Sequence, residues 1–195
     1  MKKVILTAQS DSYAEQAYQF AVMEVGNQCM FADTAFSNIT IKGEGEILLT
    51  FSSIHSFLTH CANISKILWS KKNKKKPDAT LQEVIGQPVA DRLRIGGSSP
   101  IKKMWYRDGL DHYDERIVTW VRDALDRRKN EKEIPIIELA VGKKNIEGAF
   151  YLRHYDPDSK IFTLMGKECN LNALHEEIIR IAKIVGTPRK IYSAM

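Results

Sequence analysis

The chain has 195 residues, enough for one domain with a real core, and its 44% apolar and 27% charged residues exclude wholesale disorder. A net charge of +5 is mild, and Lys71, Lys72, Lys74, Lys75 and Lys76 supply much of it, so basicity alone does not identify a nucleic-acid binder. The run M-K-K-V-I-L-T-A-Q-S is too short in apolar residues for a signal peptide, and no apolar stretch approaches the ~20 residues that span a bilayer. With no such stretch, no membrane partner is expected, and the three cysteines, Cys29, Cys61 and Cys169, odd in number, far apart and in apolar surroundings, suggest buried thiols in a reducing cytoplasm.

Residues 1–10 read as a short strand or arm. Asp11 or Ser12 then offers an N-cap, with Glu15 three residues after Ser12 as a capping box requires. Ala14, Ala17, Phe20, Ala21, Val25, Phe31 and Ala35 recur at helical spacing up to about Phe36, and Gly26-Asn27 loosens that helix without ending it. Gly43 and Gly45 mark a connection.

A second long helix is expected from Ile47 to Trp69, with Leu48, Phe51, Leu58, Cys61, Ile64 and Leu68 on one side. Ser52, Ser56, Thr59, Asn63 and Lys66 follow at steps of four and three, with His60 beside them. That polar stripe is either a solvated face or the lining of a groove, and its Ser, Thr and Asn content favours the groove slightly. The basic linker Ser70–Asp78 is a solvated loop or a set of phosphate contacts. A short helix T-L-Q-E-V-I and a second amphipathic piece after Pro88 follow, and Gly96-Gly97-Ser98 breaks the pattern.

Ser99 as N-cap and Pro100 in the first turn predict a third long helix running to Arg128. At 100° per residue, Tyr106, Leu110, Tyr113, Ile117, Trp120, Val121 and Ala124 share its core face. On one straight helix Arg107 and His112 diverge by about 140°, and Gly109 between them is costly in a helix interior. Beyond residue 133 the period changes to two: I-P-I-I-E-L-A-V, A-F-Y-L-R-H-Y and K-I-F-T-L-M read as strands of a small antiparallel meander over 134–166, the last two joined by D-P-D-S. Asn170 or Asn172 caps a closing helix that carries Leu174, Ile178, Ile181, Ala182 and Val185. The expected fold is mainly α: a helical bundle over 1–130, with a β meander and closing helix over 131–195 packed on it as one globular unit.

The run Arg107-Asp108-Gly109-Leu110-Asp111-His112 resembles the R-x4-H motif of the HEPN superfamily, small helical bundles found in toxin–antitoxin and other defence systems. The longer R-D-G-L-D-H-Y-D-E-R, and F-L-T-H-C-A-N-I-S-K-I-L-W upstream, resemble bacterial HEPN-like proteins, and the likeness covers roughly residues 11–128. It implies an antiparallel bundle and a cytoplasmic, metal-independent endoribonuclease that needs no cofactor and attacks the scissile phosphate with the ribose 2′-OH. It also implies a homodimer formed through the Arg107/His112 helix, so that two motifs face one cleft, and it admits a cognate antitoxin as partner. His112 is then the general acid/base, Arg107 binds the phosphate, and Asp108 orients one of them. Ser56, His60, Asn63 and Arg116 are the candidate substrate contacts.

Two other readings stay open. Arg107–Asp111–Asp114 and Asp108–His112–Arg116 also suit helix-surface ion-pair ladders of ~0.3–0.5 kcal/mol per pair. The chain also suits an inactive HEPN-like module that binds a ligand or protein through Ser56, His60 and Asn63. His55 and His60 are five apart, not the helical i, i+4 of a metal pair, so no metal site is expected.

Overall fold

The computed structural model describes residues 8–40, 46–69, 85–102, 112–130, 134–144 and 146–186, without the side chains of 8–12 and 130. The expected short helix at 80–85 apart from Ile85, the lysine run, and Tyr106, Arg107, Asp108, Gly109, Leu110 and Asp111 lie outside the described residues.

Two helices form the frame, α1 (Ala8–Ser37) and α2 (Ile47–Leu68). They run antiparallel: Ile67 lines a groove with Ala17, His60 meets Gln28, and Phe57 meets Phe36. The inner face of α1 is made of small side chains, with Ala21, Val25, Cys29, Ala32 and Ala35 all buried. Small residues let the two backbones approach, and Phe51, Ile54, Phe57, Leu58, Cys61 and Ile64 of α2 fill the space beyond. Two expectations are corrected here. Phe20 and Phe31 of α1 and Leu48 of α2 share the helical spacing but stand 67%, 47% and 69% exposed. The first helix also starts at Ala8, ahead of Asp11 and Ser12, and Glu15 binds Arg92 rather than closing a capping box.

A short helix, α3 (Gln87–Arg92), places Pro88 in its first turn, where the missing N–H costs nothing. It buries Val89 and Ala90 and holds Arg92 over the Tyr18 ring at 3.8 Å. The next described helix is α4 (Tyr113–Asn130), so its described length starts well after the predicted cap. Ser99 and Ile101 are buried in turns, with the Lys102 amide donating to the Ser99 carbonyl. Trp120 and Ala124 are buried as expected, whereas Val121 is exposed.

The sheet has four strands in the order β1 (Ile136–Val141), β2 (Phe150–Asp156), β3 (Ile161–Leu164) and β4 (Lys167–Asn170). The expected antiparallel meander is corrected to a mixed sheet, because β1 runs parallel to β2, with Ile136 opposite Phe150 and Val141 opposite Tyr155. Alternation sets which residues share a face but carries no strand direction. Gly142 and Gly148, in the connection between these two strands, both adopt positive φ, which glycine tolerates without a Cβ clash. β2–β3 is antiparallel, and its D-P-D-S turn closes as expected, with Asp156 accepting from the Asp158 amide and the Ser159 hydroxyl. A second hairpin turns at Met165-Gly166, both at positive φ, and adds β4, which was not expected.

The closing helix, α5 (Leu171–Val185), is capped by Asn170, whose side chain accepts from the Ala173 amide at 3.0 Å, and it ends at Gly186 in the left-handed region. Leu174, Ile178 and Ile181 join one core that also takes in α1, α2, α3 and Tyr155, Phe162 and Leu164 of the sheet. Across that core Phe162 meets Phe51 and His55 of α2, and His175 stacks on Phe36 at 3.9 Å while reaching Asp33. The fold is thus mainly helical, with a small mixed sheet. No helix among the described residues is long and apolar enough to cross a membrane.

Candidate functional site

His112 sits in the turn that leads into α4, directly before Tyr113. The 140° divergence expected for a mid-helix His112 does not apply to a residue in that position. Its side chain is 62% exposed, with Nδ1 at 4.0 Å from the Glu115 carboxylate. Below it opens a cleft of about 470 Å³, lined on one wall by His112 and by Glu115, Arg116, Thr119, Trp120 and Asp123 of α4, and on the other by Leu164, Met165 and Lys167 of the β3–β4 hairpin. Helical spacing explains the first wall, since 112, 116, 119 and 123 are steps of four and three along one flank.

A polar tie holds the first residue of α4. Arg153 of β2 donates through Nη2 to the Tyr113 hydroxyl and through Nε to His55 Nε2 at 3.4 Å. Arginine can only donate, so His55 accepts at Nε2 and carries its proton on Nδ1. Burial, and then the Arg153 cation, holds the His55 pKa below its ordinary value. His55 is therefore neutral. The tie joins α2, β2 and the first residue of α4, which fixes the backbone next to His112.

Ser56, His60 and Asn63 go elsewhere. His60 Nδ1 lies 2.8 Å from Gln28 Oε1, and the Asn63 amide donates to the same oxygen at 3.2 Å. Gln28 in turn donates to Glu24 at 2.7 Å. Because Gln28 Oε1 accepts, the His60 proton is on Nδ1, and partial burial lowers its pKa. His60 and Asn63 therefore clamp α2 to α1. Ser56 and His60 also line a shallow groove with Phe31, Thr34, Asn38 and Ser52, and that groove shares no residue with the His112 cleft.

Of the seven candidates named from the sequence, His112 and Arg116 meet in one cleft, Ser56 and His60 line another groove, Asn63 joins His60 at Gln28, and Arg107 and Asp108 lie outside the described residues. Sequence reasoning missed Lys167, Thr119 and the Arg153–Tyr113–His55 tie. Arg153 is one charged position in an alternating strand, and its pairing spans ninety-eight residues to His55, a separation that no local pattern encodes. All three cysteines are buried, and none is in a disulfide. Burial pushes the Cys29 thiol up to about 12 and Cys61 well above its usual value. Among the described residues no three His, Cys, Asp or Glu side chains gather as metal ligands.

No family model, curated protein or solved structure matches the chain.

Proposed function

We propose that the protein is a HEPN-type endoribonuclease of a toxin or defence system, cleaving RNA without metal at the His112 cleft. The observation that supports this reading most is the exposed imidazole at the mouth of a cleft that also carries Arg116 and Lys167. An imidazole can take and return protons, while two cations hold a phosphate beside it. In the reaction the 2′-oxygen attacks phosphorus and loses its proton to His112. The bond to the 5′-oxygen breaks, that oxygen takes up a proton, and a 2′,3′-cyclic phosphate and a 5′-hydroxyl result. Arg107 stabilises the charge on the pentacoordinate phosphorus, and Asp108 orients Arg107 or His112.

The composite site expected from the motif asks a second chain for the cations. Arg116 and Lys167 of the same chain already face the cleft, so we place the site within one protomer. A HEPN-like bundle, a cytoplasmic location and a cognate antitoxin complete the proposal.

The test is cleavage of end-labelled RNA by wild type, His112→Ala and Arg107→Ala, with chelator present throughout. Cyclic-phosphate ends from wild type, and their loss in both variants, are expected. A 2′-deoxy substitution at the scissile nucleotide should block the cut. Equal cleavage by all three proteins sinks the assigned roles. The second reading, a binding module without turnover, draws on the groove formed by Ser56, His60 and Phe31. RNA bound but uncut at that groove, with binding lost in Ser56→Trp and kept in His112→Ala, would favour it.

A further inference from the structure

A second cavity, of about 540 Å³, adjoins the His112 cleft and shares Trp120 and Met165 with it. Its walls come from α4, the β1–β2 connection and the β3–β4 turn, and Ile146, Ala149 and Phe150 make much of the surface apolar. Trp120 and Arg127 are two helical turns apart, which brings both to the same side of α4. The Arg127 guanidinium lies over the Phe150 ring, 5.0 Å from its centroid, and no carboxylate among the described residues pairs with it. Two polar atoms of the lining residues have no partner among the described residues, Trp120 Nε1 and Thr163 Oγ1. Trp120 is 8% exposed and Thr163 only 2%, so bulk water does not serve them. An indole N–H can only donate, a hydroxyl donates or accepts, and leaving either buried and unpaired is costly.

We propose that this cavity binds a small organic monoanion: a carboxylate on a flat apolar body, with a second hydrogen-bond acceptor at its far end. Charge sets the valence of the anion. Arg127 and Lys144 are the cations of the lining, and no acidic side chain among the described residues lines it. Lys144 is bridged to Glu168 at 2.7 Å, so two positive charges less one negative leave a net charge of one. That balance matches a carboxylate and falls short of a phosphate dianion. The guanidinium held over Phe150 keeps its fork of donors for the two carboxylate oxygens. The flat body rests among Ile146, Ala149 and Phe150, and the far acceptor is met by the Trp120 N–H and the Thr163 hydroxyl. The volume suits such a ligand, since small-molecule pockets run to roughly 300–1,000 Å³.

The site does not depend on the RNA reading, because Arg116 and Lys167 line the cleft and not this cavity, while Arg127 and Lys144 do the reverse. The unpaired hydroxyl separates a ligand contact from a structural one. Thr163→Val keeps the shape of the side chain and removes a buried polar group that the fold does not pair. The free protein should then be at least as stable as wild type and yet hold the anion less well. A Thr163→Val chain less stable than wild type would assign the hydroxyl to the fold and count against the proposal.

The isotope-labelled full chain is titrated at neutral pH with 4-hydroxybenzoate, 4-acetylbenzoate and benzoate, and the indole N–H of Trp120 is followed by NMR. Trp120→Phe assigns that signal among the three tryptophans. Each acid is taken to roughly 10 mM, beyond the millimolar affinity that ligands of this size reach. Saturable shifts are expected with the two substituted acids, weaker binding with benzoate, which lacks the far acceptor, and none with the uncharged 4-hydroxybenzamide. Phenyl phosphate, a dianion, should bind less tightly than the substituted acids. Arg127→Gln should raise Kd roughly tenfold or more, the cost of a lost bidentate charged pair. Thr163→Val should raise it roughly three- to tenfold, the worth of one hydrogen bond. Arg116→Gln removes an equal charge from the neighbouring cleft and should change Kd less than about twofold, since salt screens the more distant charge. An indole N–H that none of the acids shifts, a tighter phenyl phosphate, or a Kd unaltered in Arg127→Gln or in Thr163→Val would each overturn the proposal.

Discussion

The Arg153 guanidinium donates to the Tyr113 hydroxyl, so the residue that follows His112 is tied to the sheet rather than to its own helix. That bond, with the one to His55, makes the mouth of the cleft a rigid junction of three elements. Tyr113→Phe should cost ~0.5–1.5 kcal/mol in urea unfolding, the usual net worth of one hydrogen bond. Arg153→Ala should cost more, about 1.5–3 kcal/mol, since it also strips His55 of its donor. If His112 acts on RNA, both variants should lower kcat more than they raise KM, because they loosen the acid/base and leave Arg116 and Lys167 in place. A kcat unchanged in Arg153→Ala would deny the junction any part in positioning His112.

The clamp between α1 and α2 is open to a cleaner perturbation. Gln28→Ala removes the one oxygen that serves both His60 and Asn63. Two part-buried donors are left without that partner, and a loss of about 1–3 kcal/mol is expected. Gln28→Glu keeps the acceptor and should be far milder. A Gln28→Ala protein as stable as wild type would mean that water replaces the amide at no cost.

How much of this was legible in the sequence differs by element. The bounds of the long α2 were readable to within a residue, because one continuous apolar face with few breakers leaves little else to form, although Leu48 at its start stands exposed. Asn170, the Asp156–Ser159 turn and the buried cysteines were equally plain, since each rests on local chemistry. The inner face of α1 was half misread: Phe20 and Phe31 look like core by hydrophobicity, but a close approach of helices selects Ala21, Val25, Cys29 and Ala32 instead. Lys167–Asn170 has neither β-branched nor aromatic residues, and β4 forms only because the Met165-Gly166 turn lays it against β3. For the site, the step from His112 to Arg116 is one helical turn and readable, whereas Lys167 and Arg153 arrive from the sheet through tertiary packing alone.

The histidines set the response to acid. Burial depresses the pKa of His55, His60 and His154 from the ordinary 6.5, in His55 with help from Arg153. The unfolded chain therefore takes up protons at higher pH than the folded one. Stability is complete above about pH 6.5, declines as the pH falls below it, and levels off once the depressed folded values are passed. Urea midpoints measured from pH 7.5 down to 5 should fall accordingly. His55→Gln should flatten that slope. A slope that survives in His55→Gln and His60→Gln alike would assign the acid response to other groups.

The thiols offer the most direct probe of the core. Cys29 is held up to about 12 by burial and by the Glu177 carboxylate, and burial also pushes Cys61 well above its usual value. Only the thiolate reacts with alkylating and disulfide reagents, so at pH 8 the native protein should be labelled slowly at both positions. Labelling then requires opening of the α1–α2 interface, where Cys29 and Cys61 share one core with Ile54 and Phe57. Phe57→Ala should lower global stability by ~3–5 kcal/mol, the usual cost of a large core truncation. If labelling proceeds through full unfolding, its rate should rise by the factor that this free energy implies, about 10²–10³ or more. Rapid labelling of Cys29 in the wild type, with Cys61 still protected, would instead show that α1 opens on its own. That outcome would place the least stable boundary of the fold between α1 and α2 and not around the sheet.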